Sequence, residues 1–130
     1  MLRDSHYLFD RDWKFHYGEL QGAELPELPD DDWRVVQLPH DWSIEGDFAP
    51  KHAMAHRGGF LPAGIGWYRK HLYVPEEWRL GTIYVEFDGI YRNSTVWING
   101  HWLGHRPNGS VGFSYELTPY LLYGQDNVLA

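Results

Sequence analysis

Short alternating runs of apolar and polar residues recur along this chain, while the three-to-four-residue spacing of an amphipathic helix is nearly absent. Alternation with a period of two places successive side chains on opposite faces of a strand. The pattern predicts strands at residues 13–17, 33–38, 67–74, 82–88 and 94–98. A chain with these runs and almost no helical pattern is constrained to an all-β fold.

A tight hairpin is predicted at Asn99-Gly100, directly after the run at residues 94–98. This pair favours a two-residue type I′ turn, in which both central residues have positive φ. Residues 101–103 should therefore return antiparallel to the preceding run. Seven or eight short strands with one helical turn near Pro119 indicate a jelly-roll β-sandwich. An immunoglobulin-like sandwich is the alternative, although the cysteines of its signature are missing.

Three segments interrupt the strand pattern. Residues 18–32 carry two prolines and six acidic side chains, and we expect a solvated loop there because proline removes ladder donors and like charges repel. Residues 40–65 show no period and are rich in glycine and proline. A loop of about 25 residues is longer than a compact domain usually carries without a function. Residues 107–112 are predicted to form a third, turn-rich loop.

The length of 130 residues is suited to one domain. An alternating apolar run opens at residues 127–130, and the turn residues that usually follow a strand are absent. We therefore expect residues 1–130 to form a single β-sandwich domain at the N-terminal end of a longer polypeptide. In that polypeptide, residues 127–130 should form a strand of the sandwich.

Charge and hydropathy argue against several classes of partner. The formal net charge is −7 and no basic stripe is visible, so nucleic acid is not an expected partner. No apolar run approaches the roughly 20 residues of a membrane span, so a membrane is not expected either. Residues 1–20 lack the apolar region of a signal peptide. Both cytoplasm and periplasm are compatible with this sequence.

Three segments, taken in order, resemble the N-terminal domain of glycoside hydrolase family 2. The first is residues 33–42, Trp-Arg-Val-Val-Gln-Leu-Pro-His-Asp-Trp. The second is residues 64–70, Gly-Ile-Gly-Trp-Tyr-Arg-Lys. The third runs from residues 87–89, Phe-Asp-Gly, through residues 96–100, Val-Trp-Ile-Asn-Gly, to residues 103–105, Leu-Gly-His. Their order and spacing across residues 13–130 make the resemblance specific to that family of β-galactosidases, β-glucuronidases and β-mannosidases.

The resemblance implies a galactose-binding-domain-like jelly roll that packs beside an immunoglobulin-like domain and a TIM barrel. Family members are retaining glycosidases, whose nucleophile and acid/base carboxylates stand about 5–5.5 Å apart, and both lie in the barrel. No residue of this chain matches those positions, so the resemblance implies no catalytic residue, no metal and no cofactor here. The implied partners are the carbohydrate substrate of the intact enzyme and its downstream domains, and homo-oligomerisation stays open.

Four residues are candidates for contact with the substrate: Asp41, Trp42, His52 and Arg57. In the family, the loop after the Pro-His-Asp-Trp motif reaches toward the active site, and here that loop is residues 43–63. Asp41 could accept hydrogen bonds from sugar hydroxyls while Trp42 stacks on the ring. Alternatively, Asp41 caps a turn and Trp42 anchors it in the core. Arg57 could contact substrate or a neighbouring domain, or be a solvated loop cation.

Metal binding is not expected from the histidine spacing. His52 and His56 could share an ion only on a helix, and two imidazoles without a nearby cysteine or carboxylate make a poor zinc set. His101 and His105 would lie about 13 Å apart along a strand, which prevents chelation of one ion.

Three functions remain open at this point. The chain could be the non-catalytic domain of a β-galactosidase-like enzyme that acts in carbohydrate metabolism. It could instead be an independent carbohydrate-binding module that uses exposed aromatic side chains. It could also be a structural domain that braces a barrel or helps it to oligomerise.

Overall fold

A computed structural model of the chain describes residues 11–37, 65–90, 93–107 and 110–130. These ranges contain short strands and two 3-10 helices, and no α-helix occurs among them. The strands are β1 (Trp13–Tyr17), β2 (Arg34–Val36), β3 (Gly66–Val74), β4 (Tyr84–Ile90), β5 (Ser94–Ile98), β6 (His101–Arg106), β7 (Ser110–Glu116) and β8 (Gln125–Leu129). The 3-10 helices are Glu76–Leu80 and Thr118–Tyr120. The all-β prediction is confirmed.

Six strands form one antiparallel sheet in the order β2-β1-β3-β8-β5-β6, and β4 pairs with β7 in a second sheet. Strands far apart in sequence are neighbours, since β3 pairs with β8 from Lys70↔Leu129 to Val74↔Gln125. Buried side chains of both sheets form one hydrophobic cluster between them. This arrangement confirms the β-sandwich of jelly-roll type.

The core is built by the alternation that the sequence displays. Trp13 and Phe15 of β1 are buried in it, as are Val96 and Ile98 of β5. From the smaller sheet, β4 adds Val85. Burial of each large apolar side chain contributes about 1.5–3 kcal/mol, so these alternating positions select the face of each strand that turns inward.

The predicted hairpin is present between β5 and β6. Asn99 has φ 50° and Gly100 has φ 84°, the left-handed conformation that a type I′ turn requires. The return strand is longer than residues 101–103, because β6 extends to Arg106 and pairs it with Ser94. The tight turn sets the pairing next to it, Ile98 with His101 and Trp97 with Trp102, and the register then shifts by one residue between Trp97 and Val96.

Strand β8 lies inside the large sheet, between β3 and β5. Its last three residues, Asn127, Val128 and Leu129, are all buried, so the run is covered on both faces instead of alternating. The amide of Trp97 donates to the carbonyl of Ala130, and the amide of Ala130 donates back. The predicted strand is therefore present up to Leu129, without the predicted alternation.

Two predicted loops contain more structure than expected. Residues 107–112 overlap β7, which pairs Ser110 with Ile90. Serine and glycine there resemble turn residues, but β4 provides a partner strand. The second difference is the β1–β2 connection, residues 18–33, in which Ala23 and Asp30 are 0% and 5% exposed. The connection is a loop as predicted, and most of its side chains are exposed or half-buried, but Asp30 is an exception to the predicted solvation, for the reason given below.

No helix in the described ranges has the length and apolar character that crossing a membrane requires.

Candidate functional site

The four substrate-contact candidates, Asp41, Trp42, His52 and Arg57, lie outside the residues that the structure describes. The same holds for His56 and for the loop at residues 43–63. Their roles therefore stay predictions. Within residues 11–37, 65–90, 93–107 and 110–130, no group of three or more histidine, cysteine or acidic side chains could hold a metal ion.

The β1–β2 connection, residues 18–33, crosses one face of the large sheet. Its backbone turns repeatedly, with amide-to-carbonyl hydrogen bonds from Leu25 to Gly22, from Leu28 to Leu25 and from Trp33 to Asp30. A Cβ atom placed on Gly100 would lie 3.5 Å from Leu25, so the connection reaches the β5–β6 hairpin. The connection is therefore a packed part of the fold.

Arg69 of β3 holds this connection in place. Tyr68 and Leu72 of the same strand pack on the core, so alternation puts Arg69 on the opposite face. Its side chain is fully buried there. Its Nε donates to Asp30 Oδ2 at 2.9 Å. The two terminal nitrogens donate to backbone carbonyls of the connection. Nη1 donates to those of Ala23 and Leu25, both at 2.7 Å, and Nη2 donates to those of Pro26 at 3.3 Å and Leu28 at 3.1 Å.

These contacts engage every N–H group that a guanidinium possesses, because arginine has five such donors. A buried charge is costly unless it is paired and its hydrogen bonds are satisfied, and Arg69 meets both conditions. The proline-rich backbone supplies the acceptors. Carbonyls that make no helix or sheet hydrogen bond are turned toward Arg69, which explains why this acidic segment is ordered.

Arg69, Asp30 and the carbonyls that accept from Arg69 form a hydrogen-bond network, which we call the Arg69 network. Asp30 is its buried carboxylate. His71 lies two residues after Arg69 on the same face of β3, and its Nε2 is 2.6 Å from Asp30 Oδ2. Burial raises the pKa of Asp30 by desolvation, but the hydrogen bonds and positive charges of Arg69 and His71 outweigh it, and the pKa lies below 3.8. An ionised carboxylate only accepts hydrogen bonds, so His71 Nε2 carries the proton between them.

A groove lies at the base of the connection, where the chain leaves β1 and returns to β2. Its volume is about 480 Å³, within the roughly 300–1,000 Å³ typical of small-molecule sites. It is lined by residues 15–17, 20, 28–29 and 32–34. We refer to this feature as the β1–β2 groove.

Aromatic side chains are among those that line the β1–β2 groove. Trp33 is buried, and its ring lies 5.3 Å from that of His16. The guanidinium of Arg69 stands 5.6 Å from the Trp33 ring centroid, within cation–π range. The outer rim is polar, since Asp32 and Arg34 are exposed. The groove thus combines an apolar wall with side chains that donate and accept hydrogen bonds.

The sequence of this domain matches a known protein family. The model of the glycosyl hydrolases family 2 sugar-binding domain matches residues 26–130. The chain belongs to this family. The matched range includes Asp30, Trp33 and Arg69, and therefore most of the network and part of the β1–β2 groove.

Relatives of this family 2 domain are similar over nearly its whole length. A β-galactosidase of Bacteroides ovatus, BoGH2A, is 52% identical over 94% of this chain. A protein of Formosa agariphila named as a putative β-glucuronidase is 37% identical over 92% of it. The crystal structure of a β-glycosidase from Bacteroides vulgatus matches with a TM-score of 0.78 and 47% identity over 93% of the chain. The chain spans only 14%, 12% and 16% of the respective lengths of these proteins.

The Arg69 network was missed by sequence reasoning, although a signal for it exists. Arg69 stands within the Gly-Trp-Tyr-Arg segment that supports the family resemblance, in the middle of a strand. An arginine in the middle of a strand, together with an acidic segment earlier in the chain, is a pattern that indicates a buried ion pair. Which of six acidic residues would pair with it depends on the course of the connection.

Proposed function

We propose that this family 2 domain is the non-catalytic, N-terminal part of a larger retaining glycosidase of β-galactosidase type. Its role there is to support the catalytic barrel and to line part of the substrate pocket. The observation that carries the proposal is the family match over residues 26–130. The small share of each relative's length that the chain spans, 14% for the β-galactosidase of Bacteroides ovatus, supports it. Higher identity to that relative than to the putative β-glucuronidase favours a galactoside as substrate.

The chemistry of the described residues supports a non-catalytic role. A general acid needs a carboxyl whose pKa is raised. Asp30 is a buried carboxylate, and Arg69 and His71 hold its pKa low. Asp30 is therefore suited to fastening the β1–β2 connection and unsuited to donating a proton to a leaving group.

The test compares this 130-residue chain with the longer protein that contains it. We expect the chain alone to leave nitrophenyl β-galactoside, β-glucuronide and β-mannoside unhydrolysed, and the longer protein to cleave one of them. Turnover that co-purifies with the chain alone and disappears when one of its own carboxylates is replaced would overturn the proposal.

A second candidate is carbohydrate binding by the domain itself. The β1–β2 groove favours it, because the groove is open, partly aromatic and bordered by polar side chains. The two candidates are compatible within one enzyme. Carbohydrate is accordingly the proposed partner in both, together with downstream domains of the same polypeptide, and self-association remains a prediction to be measured.

A further inference from the structure

The turn between β5 and β6 contains a chemically labile pair of residues, Asn99-Gly100. Asparagine is thermolabile, because the backbone nitrogen of the following residue can attack its side-chain amide carbon. A following glycine leaves that nitrogen open to approach, since glycine has no Cβ atom. The sequence has two such Asn-Gly pairs, at residues 99–100 and 108–109. The first of them lies where the structure describes its surroundings, so its reactivity can be argued from contacts.

The folded domain holds the side chain of Asn99 with three hydrogen bonds. Its Nδ2 donates to the carbonyl of Tyr120 at 3.1 Å and to Asn127 Oδ1 at 2.7 Å. Its Oδ1 accepts from the amide of Val128 at 2.9 Å. The planar amide held in this way must rotate and become tetrahedral at Cγ before the nitrogen of Gly100 can bond to it. The three hydrogen bonds therefore oppose the reaction.

Asn127 is itself fixed in one orientation. Its Nδ2 donates to the carbonyls of Leu122 and Gln125 at 2.9 and 3.1 Å, and its Oδ1 accepts from the amide of Leu122 at 2.7 Å. Backbone amides only donate and carbonyls only accept, so a flipped Asn127 would face a group of its own kind at each of these positions. Asn127 Oδ1 therefore presents an acceptor to Asn99 and cannot be exchanged for a donor.

We propose that Asn99 is a site of spontaneous deamidation, that its three side-chain hydrogen bonds gate the reaction, and that the product cannot re-form the two bonds donated by Nδ2. The nitrogen of Gly100 bonds to Asn99 Cγ, the Cγ–Nδ2 bond breaks, and Nδ2 leaves as ammonia with the proton of the Gly100 amide. Water then opens the succinimide ring at either carbonyl. Its hydroxyl group adds to that carbon and its proton goes to the ring nitrogen, which leaves aspartate or isoaspartate.

The product lacks the contacts that fasten the hairpin to β8. A carboxylate in place of the Asn99 amide has two acceptor oxygens and no donor. One of these oxygens would face Asn127 Oδ1 and the carbonyl of Tyr120, which are both acceptors. Isoaspartate also adds a methylene group to the backbone of a two-residue turn, whose type depends on the length of the loop. Deamidation should therefore loosen the hairpin irreversibly.

Peptide-mapping mass spectrometry of the 130-residue chain, incubated at neutral pH in buffer and in denaturing urea, tests the gating. The peptide that contains Asn99 should gain the mass difference between a hydroxyl and an amino group. This gain should be at least about tenfold slower in buffer, because the hydrogen bonds must open first. Asn108-Gly109 is an internal reference for the rate in urea. No reaction of Asn99 in urea, or equal rates in buffer and in urea, overturns the proposal.

Two variants on β8 give a matched comparison. Asn127→Ala removes one acceptor of Asn99 and should accelerate its deamidation in buffer about twofold to tenfold, as expected for one lost hydrogen bond. Gln125→Ala changes an exposed side chain of the same strand and should change the rate by less than about twofold. Equal rates in the two variants overturn the role of Asn127. If circular dichroism shows that Asn127→Ala is unfolded, the comparison of buffer with urea still decides the gating.

Asn99→Asp places the aspartate product in the turn directly. Asn99→Gly is its control, because glycine also removes the side-chain donors and suits the positive φ of this turn, but it brings no carboxylate against Asn127. The urea midpoint of Asn99→Asp should be lower than that of Asn99→Gly by about 0.5–1 M. Equal midpoints overturn the statement that the product cannot be accommodated. None of these measurements involves carbohydrate, so they are independent of the proposed glycosidase role.

Discussion

At the scale of single residues, Arg69 holds the β1–β2 connection in place. One guanidinium connects five points of the β1–β2 connection to the central strand β3. Removing one partner of a buried ion pair typically costs about 3–5 kcal/mol, because the other charge is left without compensation. The order of the connection, and with it the wall of the β1–β2 groove, therefore depends on Arg69 and Asp30 together.

Asp30 should make the stability of the domain decrease in acid. Because its pKa is lowered below 3.8 in the folded state, the unfolded chain binds the proton first as the pH falls. The stabilisation is fully present above the unfolded pKa of about 3.9, and it is lost as the pH falls through the lower, folded pKa. Carbon-13 NMR of the Asp30 carboxyl should give a midpoint below 3.8.

Urea unfolding at a series of pH values measures the consequence for stability. The free energy of unfolding should decrease below about pH 4 in the wild-type chain and in Asp31→Asn, which retains Asp30. Asp30→Asn should lose this component of the decrease. A carboxyl midpoint at or above 3.8 would contradict the prediction.

At the scale of elements, β3 connects the two halves of the large sheet. Its first half pairs with β1, from Tyr17↔Gly66 to Lys14↔Arg69, and its second half pairs with β8. Asn127 adds a side-chain link at β8. Its Oδ1 accepts from the Leu122 amide and from Asn99 Nδ2, both at 2.7 Å. The hairpin turn at Asn99 is thereby fastened to a strand that lies 28 residues away.

The contact between β6 and β7 depends on a glycine. A Cβ atom on Gly104 would lie 2.5 Å from Cε1 of the Tyr115 ring and 2.9 Å from its hydroxyl oxygen. Gly104→Ala should therefore destabilise the domain by about 1–3 kcal/mol through overpacking, measured by urea unfolding. The same change in a Tyr115→Leu background should cost less, and an equal cost in both backgrounds would show that the ring is not the cause.

At the scale of the whole molecule, buried residues from both sheets form one cluster, in which Val85 of β4 joins Phe15 of β1 and Leu129 of β8. Neither sheet has a separate core among the described residues. We therefore expect one cooperative unfolding transition, as small single domains usually show. This expectation tests the prediction that residues 1–130 form a single domain.

Tryptophan fluorescence and far-UV circular dichroism should give coincident urea curves, with a slope of about 1–3 kcal/mol per molar. The curves should be repeated at several protein concentrations, since self-association would shift the midpoint. Non-coincident curves, or two resolved steps, would contradict the single-domain prediction.

The fold could be predicted from the sequence where the signal is local. Alternation in β1, β4 and β5 identifies the strands and their inward faces, and Asn99-Gly100 specifies its own turn through positive φ. The start of β7 was predicted as a loop because Ser110 and Gly112 are typical of turns. These residues form a strand instead because β4 provides a partner with which they pair. The family membership could likewise be predicted, since it rests on motifs that are read along the chain.

The sequence by itself determined the all-β class, the hairpin and the family, because each depends on residues that are near one another in the chain. Only the tertiary structure decided the course of the β1–β2 connection. Asp30 and Arg69 are separated by 39 residues, and His71 lies 41 residues from Asp30. Prolines and like charges favour a solvated loop locally, and most of the connection keeps that character. Asp30 is buried nonetheless, because a buried guanidinium on β3 must satisfy all of its donors.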